Sequence, residues 1–191
     1  MKETELPAGA TKAILMNALN GRDSKAKEIY LIMYLASVSE AYKLLEDAEL
    51  LLKNESFPRA YFLGMSALEE ISKSQLAADV FTGLIKEDEF KKSFTNHKEK
   101  IKRVKWIQID ENSYPYFNSD LIQIKDFDFK KKLKSMYVDA DFKLKEISTP
   151  DDSVTKKDAE GIIKAVKVGL HRIYEVTEEH GEQIGTKGFM K

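Results

Sequence analysis

Four prolines in 191 residues leave the chain free to run in long helices, and between them apolar side chains recur mostly three and four positions apart. That is the helical period; a half-buried strand alternates every second residue. The expected fold is all-α, a bundle of about five main helices forming one domain over residues 1–191. A single domain of this length buries roughly 70% of the surface its unfolded chain exposes, so its core requires neither disulfide nor metal. The sequence has no cysteine, which excludes thiol nucleophiles, CxxC redox chemistry and cysteine-ligated zinc or iron–sulfur sites.

Residues 1–23 read as a leader of mixed character, with a short helix over Lys12–Leu19 that Gly21 would stop. It has no apolar region of the kind a secretory signal requires. The most apolar run, Ile29–Val38, is too short to span a bilayer. A cytoplasmic protein without membrane segments is expected. From Ser24 as N-cap, Ile29, Ile32, Leu35, Tyr42, Leu45, Ala48 and Leu51 mark a first long helix to about Asn54. Ser56 and Pro58 open a second helix, which runs to about Gly83. The short link between them predicts an antiparallel hairpin.

A third helix is expected over about Lys86–Val104, with Phe90, Phe94, His97 and Ile101 as its narrow apolar stripe. Trp106–Lys125 breaks the pattern with two short alternating runs around Tyr114, Pro115, Tyr116 and Phe117. It reads as an irregular aromatic loop between helices three and four, with a two-stranded hairpin as the alternative. A fourth helix is expected over about Asp128–Phe142 and a turn over Ser148–Ser153. A fifth follows over about Lys157–Glu179, closed by Gly181, and 182–191 is a tail.

The second helix is apolar around most of its circumference, as befits a helix packed between others, yet it carries Arg59, Ser66, Glu69, Glu70 and Lys73. Arg59, Ser66, Glu69 and Lys73 fall along one stripe, with Glu70 beside them. The plain reading is a solvated face with a Glu69–Lys73 pair. The sharper one is a polar seam between helices, where partial burial tunes carboxylate and lysine chemistry.

Only His97, His171 and His180 are available for acid–base work near neutral pH. His180 suits a helix-capping role beside Gly181, and His171 reads as a surface or core residue. His97 is followed by Lys98, Lys100, Lys102 and Arg103, a setting for a phosphate next to an imidazole or simply a charged helix face. Between Lys86 and Lys145 there are 15 basic and 11 acidic residues, against 16 and 21 elsewhere. Basic clusters at Lys98–Lys105 and Lys130–Lys134, the second including Lys132, bracket Trp106 and the aromatic segment. That interleaving suits single-stranded RNA. No cofactor or metal is expected. HExxH, a Walker A loop, GxGxxG and GxSxG are missing, and no histidine has the glutamate three positions earlier that a di-iron bundle needs.

Three segments together resemble the AbiV family of abortive-infection proteins, of the HEPN superfamily: Ser66–Lys73 (SALEEISK), His97 followed by lysines, and Tyr137-Val138-Asp139. The resemblance implies a HEPN-like helical bundle, a homodimer, and a role in phage defence in which the infected cell's own metabolism is arrested. A phage-encoded activator protein and an RNA substrate are the implied partners. Many HEPN proteins are metal-independent ribonucleases carrying Arg-x4-6-His. Here no arginine stands at that distance before a histidine; Lys92 and Lys91 lie five and six residues before His97, and Arg172 eight before His180. On this reading His97 is the general base or acid, and Lys73 or Lys98 stabilises the phosphorane. Glu69 or Glu70 orients them or serves as alternate base, with Tyr137 and Asp139 completing the site from the fourth helix. Lys98, Lys100, Lys102, Arg103 and Lys132 would bind RNA. The rival class is a non-catalytic dimeric module that acts by binding a phage or host protein. Convergence of Glu69, Glu70, Lys73 and His97 in one concave site would favour the enzyme.

Overall fold

The computed structural model describes residues 24–104 and 129–174. The leader, the aromatic segment Trp106–Lys125, His180, Gly181 and the tail lie outside the described residues. The two longest patterned stretches form helices α1 (Ser24–Lys53) and α2 (Phe57–Phe81), packed together as the expected hairpin. Between them, Ser56 N–H donates to Leu51 O at 2.9 Å and Glu55 N–H to Leu52 O at 3.1 Å. With Glu55 at φ 59°, this is a Schellman turn. Ser56 holds the N-cap position of α2, but its side chain makes no capping bond; Pro58 supplies the first-turn proline. At the far end Gly83, at φ 76°, closes α2 with a second Schellman turn, Leu84 N–H to Asp79 O and Gly83 N–H to Val80 O.

The expected third helix is two helices, α3 (Glu87–Thr95) and α4 (His97–Val104). Asn96 separates them with an extended backbone, and its Oδ1 accepts from Lys98 N–H at 3.0 Å and Glu99 N–H at 3.3 Å. Asparagine is among the strongest N-caps, so it restarts the helix and makes His97 the first helical residue.

The expected fourth helix is overturned beyond its first turns. After α5 (Phe129–Lys134), the chain forms an antiparallel hairpin of β1 (Asp139–Asp141) and β2 (Glu146–Ser148), with Asp139 opposite Ser148, Ala140 opposite Ile147 and Asp141 opposite Glu146. The aspartates are the physical cause. Asp139 Oδ1 takes Ala140 N–H, and Asp141 Oδ1 takes Lys143 N–H and Leu144 N–H at 2.9 and 3.0 Å, local bonds that compete with helical ones.

The expected turn at Ser148–Ser153 contains a short helix, α6 (Pro150–Ser153), under a Thr149–Asp152 capping box. A Thr155–Asp158 box then opens α7 (Lys156–Tyr174). Seven helices and one small hairpin thus make a helical bundle among the described residues, in agreement with the all-α expectation. No helix among them is long and apolar enough to cross a membrane.

α2 is the central helix, in contact with α1 on one side and α7 on the other. Tyr61, Met65, Leu68, Ile71 and Leu76 are almost fully buried against Ile162, Val166 and Val168 of α7 and the inner face of α1. The close approach of α2 and α7 depends on Gly64, where a Cβ would stand 2.7 Å from Ile162 Cγ2. Gly64→Val is expected to lower the unfolding free energy by about 2–3 kcal/mol through overpacking. Urea denaturation checks this, and a double-mutant cycle with Ile162→Ala is expected to show partial relief.

Candidate functional site

Glu69 projects from the middle of α2 with its side chain 4% exposed, in a position where an unpaired carboxylate would be too costly to ionise. Two lysines and a histidine from two other helices surround it. Lys132 of α5 donates from Nζ to Oε1 at 2.7 Å. His97, at the start of α4, meets Oε2 through Nδ1 at 2.6 Å, and Lys100, one turn later, brings Nζ to 3.5 Å from the same oxygen. Burial alone would raise the Glu69 carboxyl; the hydrogen bonds and charges of Lys132 and His97 outweigh it and hold the group below its ordinary value. Lys100 shows the converse. Its burial pushes the ammonium pKa down, against the pull of Glu69, and the neighbouring Lys73 charge pushes the same way.

The cluster is buried on one side and open on the other. Lys100 and Lys132 are 3% and 8% exposed at their side chains, whereas His97 is 55% exposed. Its ring stacks on Phe129 of α5, centroids 5.8 Å apart and planes 25° from parallel, and Lys132 Nζ lies 5.0 Å over the Phe62 ring. With the carboxylate accepting, Nδ1 carries the proton and donates. The neutral imidazole then has its lone pair on Nε2, at the end of the ring away from Glu69, which is the arrangement of a general base.

Beside this cluster Glu70 pairs with Lys73, both largely buried, and Lys73 Nζ sits 5.6 Å over Phe94. The Glu69–Lys73 pair of the plain reading is therefore not formed; each residue has a different partner. Glu69 and His97 are brought into direct contact, with Glu70 and Lys73 alongside. Arg59 is exposed near the start of α2, where it donates to Ser56 Oγ at 3.4 Å. Ser66 Oγ is turned back onto Phe62 O at 2.9 Å.

The other expected residues are dispersed. Tyr137 is 64% exposed in the turn after α5, and Asp139 is exposed in β1, capping Ala140 N–H. Neither lies on a helix, and among the described residues neither bonds to the Glu69 cluster. Lys98 is exposed. Lys100 and Lys132, expected on an RNA-binding basic face, are buried on the carboxylate instead. The side chains of Lys102 and Arg103 lie outside the described residues, and His171 is exposed on α7.

Sequence reading missed the Lys132–Glu69 bond, which joins residues 63 apart, and the packing of Phe129 on His97. The one legible signal was Asn96 three residues before Glu99, a helix-start pattern that fixes where His97 points.

Removing one member of a buried ion cluster strands the others. Glu69→Gln is expected to lower stability by about 3–5 kcal/mol at neutral pH, read by urea denaturation, because two buried ammonium groups lose their counter-charge. The pH dependence has a definite sign. A carboxyl whose folded pKa lies below its unfolded value of about 4.5 stabilises the fold above that value and loses its contribution as pH falls through the folded pKa. The gap between wild type and Glu69→Gln should therefore narrow on acidification, and a constant gap would contradict this account.

Comparison with known proteins adds the family. No curated protein and no solved structure matches the chain. A family model does: that of the HEPN group described as AbiV matches residues 30–171, most of the chain. The matched span contains Glu69, His97, Lys100 and Lys132, so the buried cluster lies inside the family's own extent. The chain belongs to the AbiV family of HEPN proteins.

Proposed function

We propose that this protein acts in abortive-infection phage defence as a metal-independent ribonuclease, with His97 as its acid–base group. Membership of the AbiV family supports the defence role. The observation that carries the chemistry is the half-exposed His97 ring held at Nδ1 by the buried Glu69 carboxylate. A carboxylate that fixes an imidazole's tautomer and stabilises its protonated form is a recurring way to build a general base.

The reaction is transesterification of RNA. Nε2 of His97 takes the proton of a ribose 2′-hydroxyl, the oxygen attacks the adjacent phosphorus, and the protonated imidazole returns the proton to the departing 5′-oxygen. The products are a 2′,3′-cyclic phosphate and a 5′-hydroxyl. Glu69 is a positioning residue in this scheme. Lys98, exposed on the next position after His97, pairs with the phosphate, while buried Lys100 and Lys132 contribute positive potential in a medium of low effective dielectric. Tyr137 and Asp139 have no part in it, and a metal ion would have to compete with two ammonium groups for the cluster's carboxylate. The setting is the cytoplasm, where a phage-encoded protein is the expected trigger.

The test is incubation of the full chain with total cellular RNA and tRNA in EDTA, beside His97→Ala and Lys98→Ala variants shown to keep their helical content. Wild-type cleavage leaving cyclic phosphate ends is expected, with a loss of about 100-fold or more in His97→Ala and a smaller loss in Lys98→Ala. Equal cleavage by all three would remove His97 from the chemistry. Silence from all three, also with lysate of phage-infected cells present, would favour the non-catalytic interaction module.

A further inference from the structure

Helix α5 has little of its own to hold it in place. It is six residues long, below the length at which a helix persists in water. Its leucine, Leu133, is 43% exposed, and its buried side chain is that of a lysine, Lys132. Two neighbouring lysines fix it instead, from different sides. Successive helical residues point about 100° apart, and residues three apart share a face. Phe129 and Lys132 therefore face the site together, Lys132 on Glu69 Oε1 at 2.7 Å and Phe129 stacked on the His97 ring. Lys131 leaves from another side and reaches Asp158 of α7, Nζ 2.6 Å from Oδ1.

Asp158 is itself held. Its Oδ2 accepts from the Thr155 N–H and from the Thr155 hydroxyl, each at 2.8 Å, which leaves Oδ1 for Lys131. Burial alone would raise this carboxyl; Lys131 and Thr155 outweigh it and hold the group below its ordinary value. The anchor of α5 on α7 is thus a fixed anion.

A single hydrogen bond does not fix a ring. With Nδ1 held on Glu69 at 2.6 Å, the imidazole can still tilt about that bond, and Nε2 moves through an arc as it does. A second ring stacked on one face removes that freedom. We propose that α5 is a clamp on His97: Phe129 is the positioning residue that sets where Nε2 points, and the Lys131–Asp158 pair sets Phe129 by fixing the roll of α5. The chemical consequence rests on the ribonuclease reading. The mechanical one, that α7 acts on the His97 ring through α5, stands apart from it.

The test is nuclear magnetic resonance of the full chain labelled at histidine, with His97→Ala identifying the His97 signals, beside RNA cleavage in EDTA by the same samples. Stacking places the His97 ring protons in the ring current of Phe129, which shifts them upfield. Lys131→Met keeps the side-chain stem and removes the ammonium; Asp158→Asn keeps an oxygen for Thr155 and removes the charge. Both are expected to move the His97 signals toward those of an unstacked histidine. Both should also lower kcat roughly 10- to 100-fold with a smaller effect on KM, as a displaced general base does. The double variant should be no worse than either single one. Phe129→Tyr retains a stackable ring and should keep kcat near wild type, whereas Phe129→Leu should not. Glu49→Gln breaks the pair that Lys167 of α7 makes with α1 and is expected to leave signals and cleavage unchanged. Circular dichroism checks that each variant is folded. His97 signals at their wild-type positions in both Lys131→Met and Asp158→Asn overturn the clamp, whatever the cleavage. Shifted signals with unchanged kcat overturn the positioning role. If the wild type cleaves no RNA, the ribonuclease reading fails, and the ring signals alone decide whether α7 acts on His97.

Discussion

A single carboxylate withdrawn from water organises this bundle outside its apolar core. Helices α3, α4 and α5 have 9, 8 and 6 residues, lengths at which an isolated helix does not persist in water. Their apolar content is small: Phe90 is the buried residue of α3 and Ile101 is buried in α4. What fixes α4 and α5 on α2 is Glu69, which binds His97 and Lys100 from one and Lys132 from the other. A second ion pair, Lys131 to Asp158 at 2.6 Å, ties α5 to α7. Buried ion pairs often add little net stability, since desolvation offsets attraction. Their geometry is exacting, though, and an arrangement that leaves any of these charges unmatched is penalised. The cluster thus specifies where the short helices sit more than it strengthens the fold.

The same economy of contacts determines what the site can do. Glu69 has two oxygens, one given to Lys132 and the other shared by His97 and Lys100, so the carboxylate is saturated from inside and its outward face is an imidazole. Lys100 bears the cost, with an ammonium that burial destabilises in its charged form. Replacing Glu69, Lys100 and Lys132 together by apolar residues of similar volume would relieve that cost, and retaining the two lysines keeps positive charge beneath His97. A stability penalty held next to a half-exposed histidine is what supports the proposed acid–base role of His97.

Some of this was legible in the sequence. The α1–α2 hairpin followed from helical periodicity and the Ser56–Pro58 start signal, because a buried central helix writes its surroundings into its composition. The polar seam on α2 was visible for the same reason: Glu69 and Lys73 are conspicuous in an otherwise apolar stretch. Their partners were not visible. Spacing of four suggested Glu69–Lys73, a local rule for exposed helices, but a tertiary charge 63 positions away prevailed, as it does when the surroundings are dry. The fourth helix failed on a different count. Periodicity carried it through Tyr137 to Phe142, whereas Asp139 and Asp141 bond their own backbone and convert the segment to a hairpin. The break at Asn96 was missed because the apolar stripe of Phe90, Phe94, His97 and Ile101 continues across it.

The departure from Arg-x4-6-His acquires a structural meaning here. Lys91, six residues before His97, is spent on Glu87 at 2.7 Å, and Lys92 is exposed on α3 beyond the Asn96 break. Neither supplies a cation to the imidazole from the N-terminal side. Positive charge reaches His97 through Glu69, from Lys100 three residues later and from Lys132 on α5. Lysine suits that position in a way arginine does not. A compact ammonium offers one point charge to one oxygen and leaves the other oxygen of Glu69 open to His97, whereas a guanidinium fork favours both oxygens at once and would displace the ring. A histidine held by a carboxylate that two lysines balance keeps its Nδ1 committed and its Nε2 away from Glu69, without an arginine four to six residues before it.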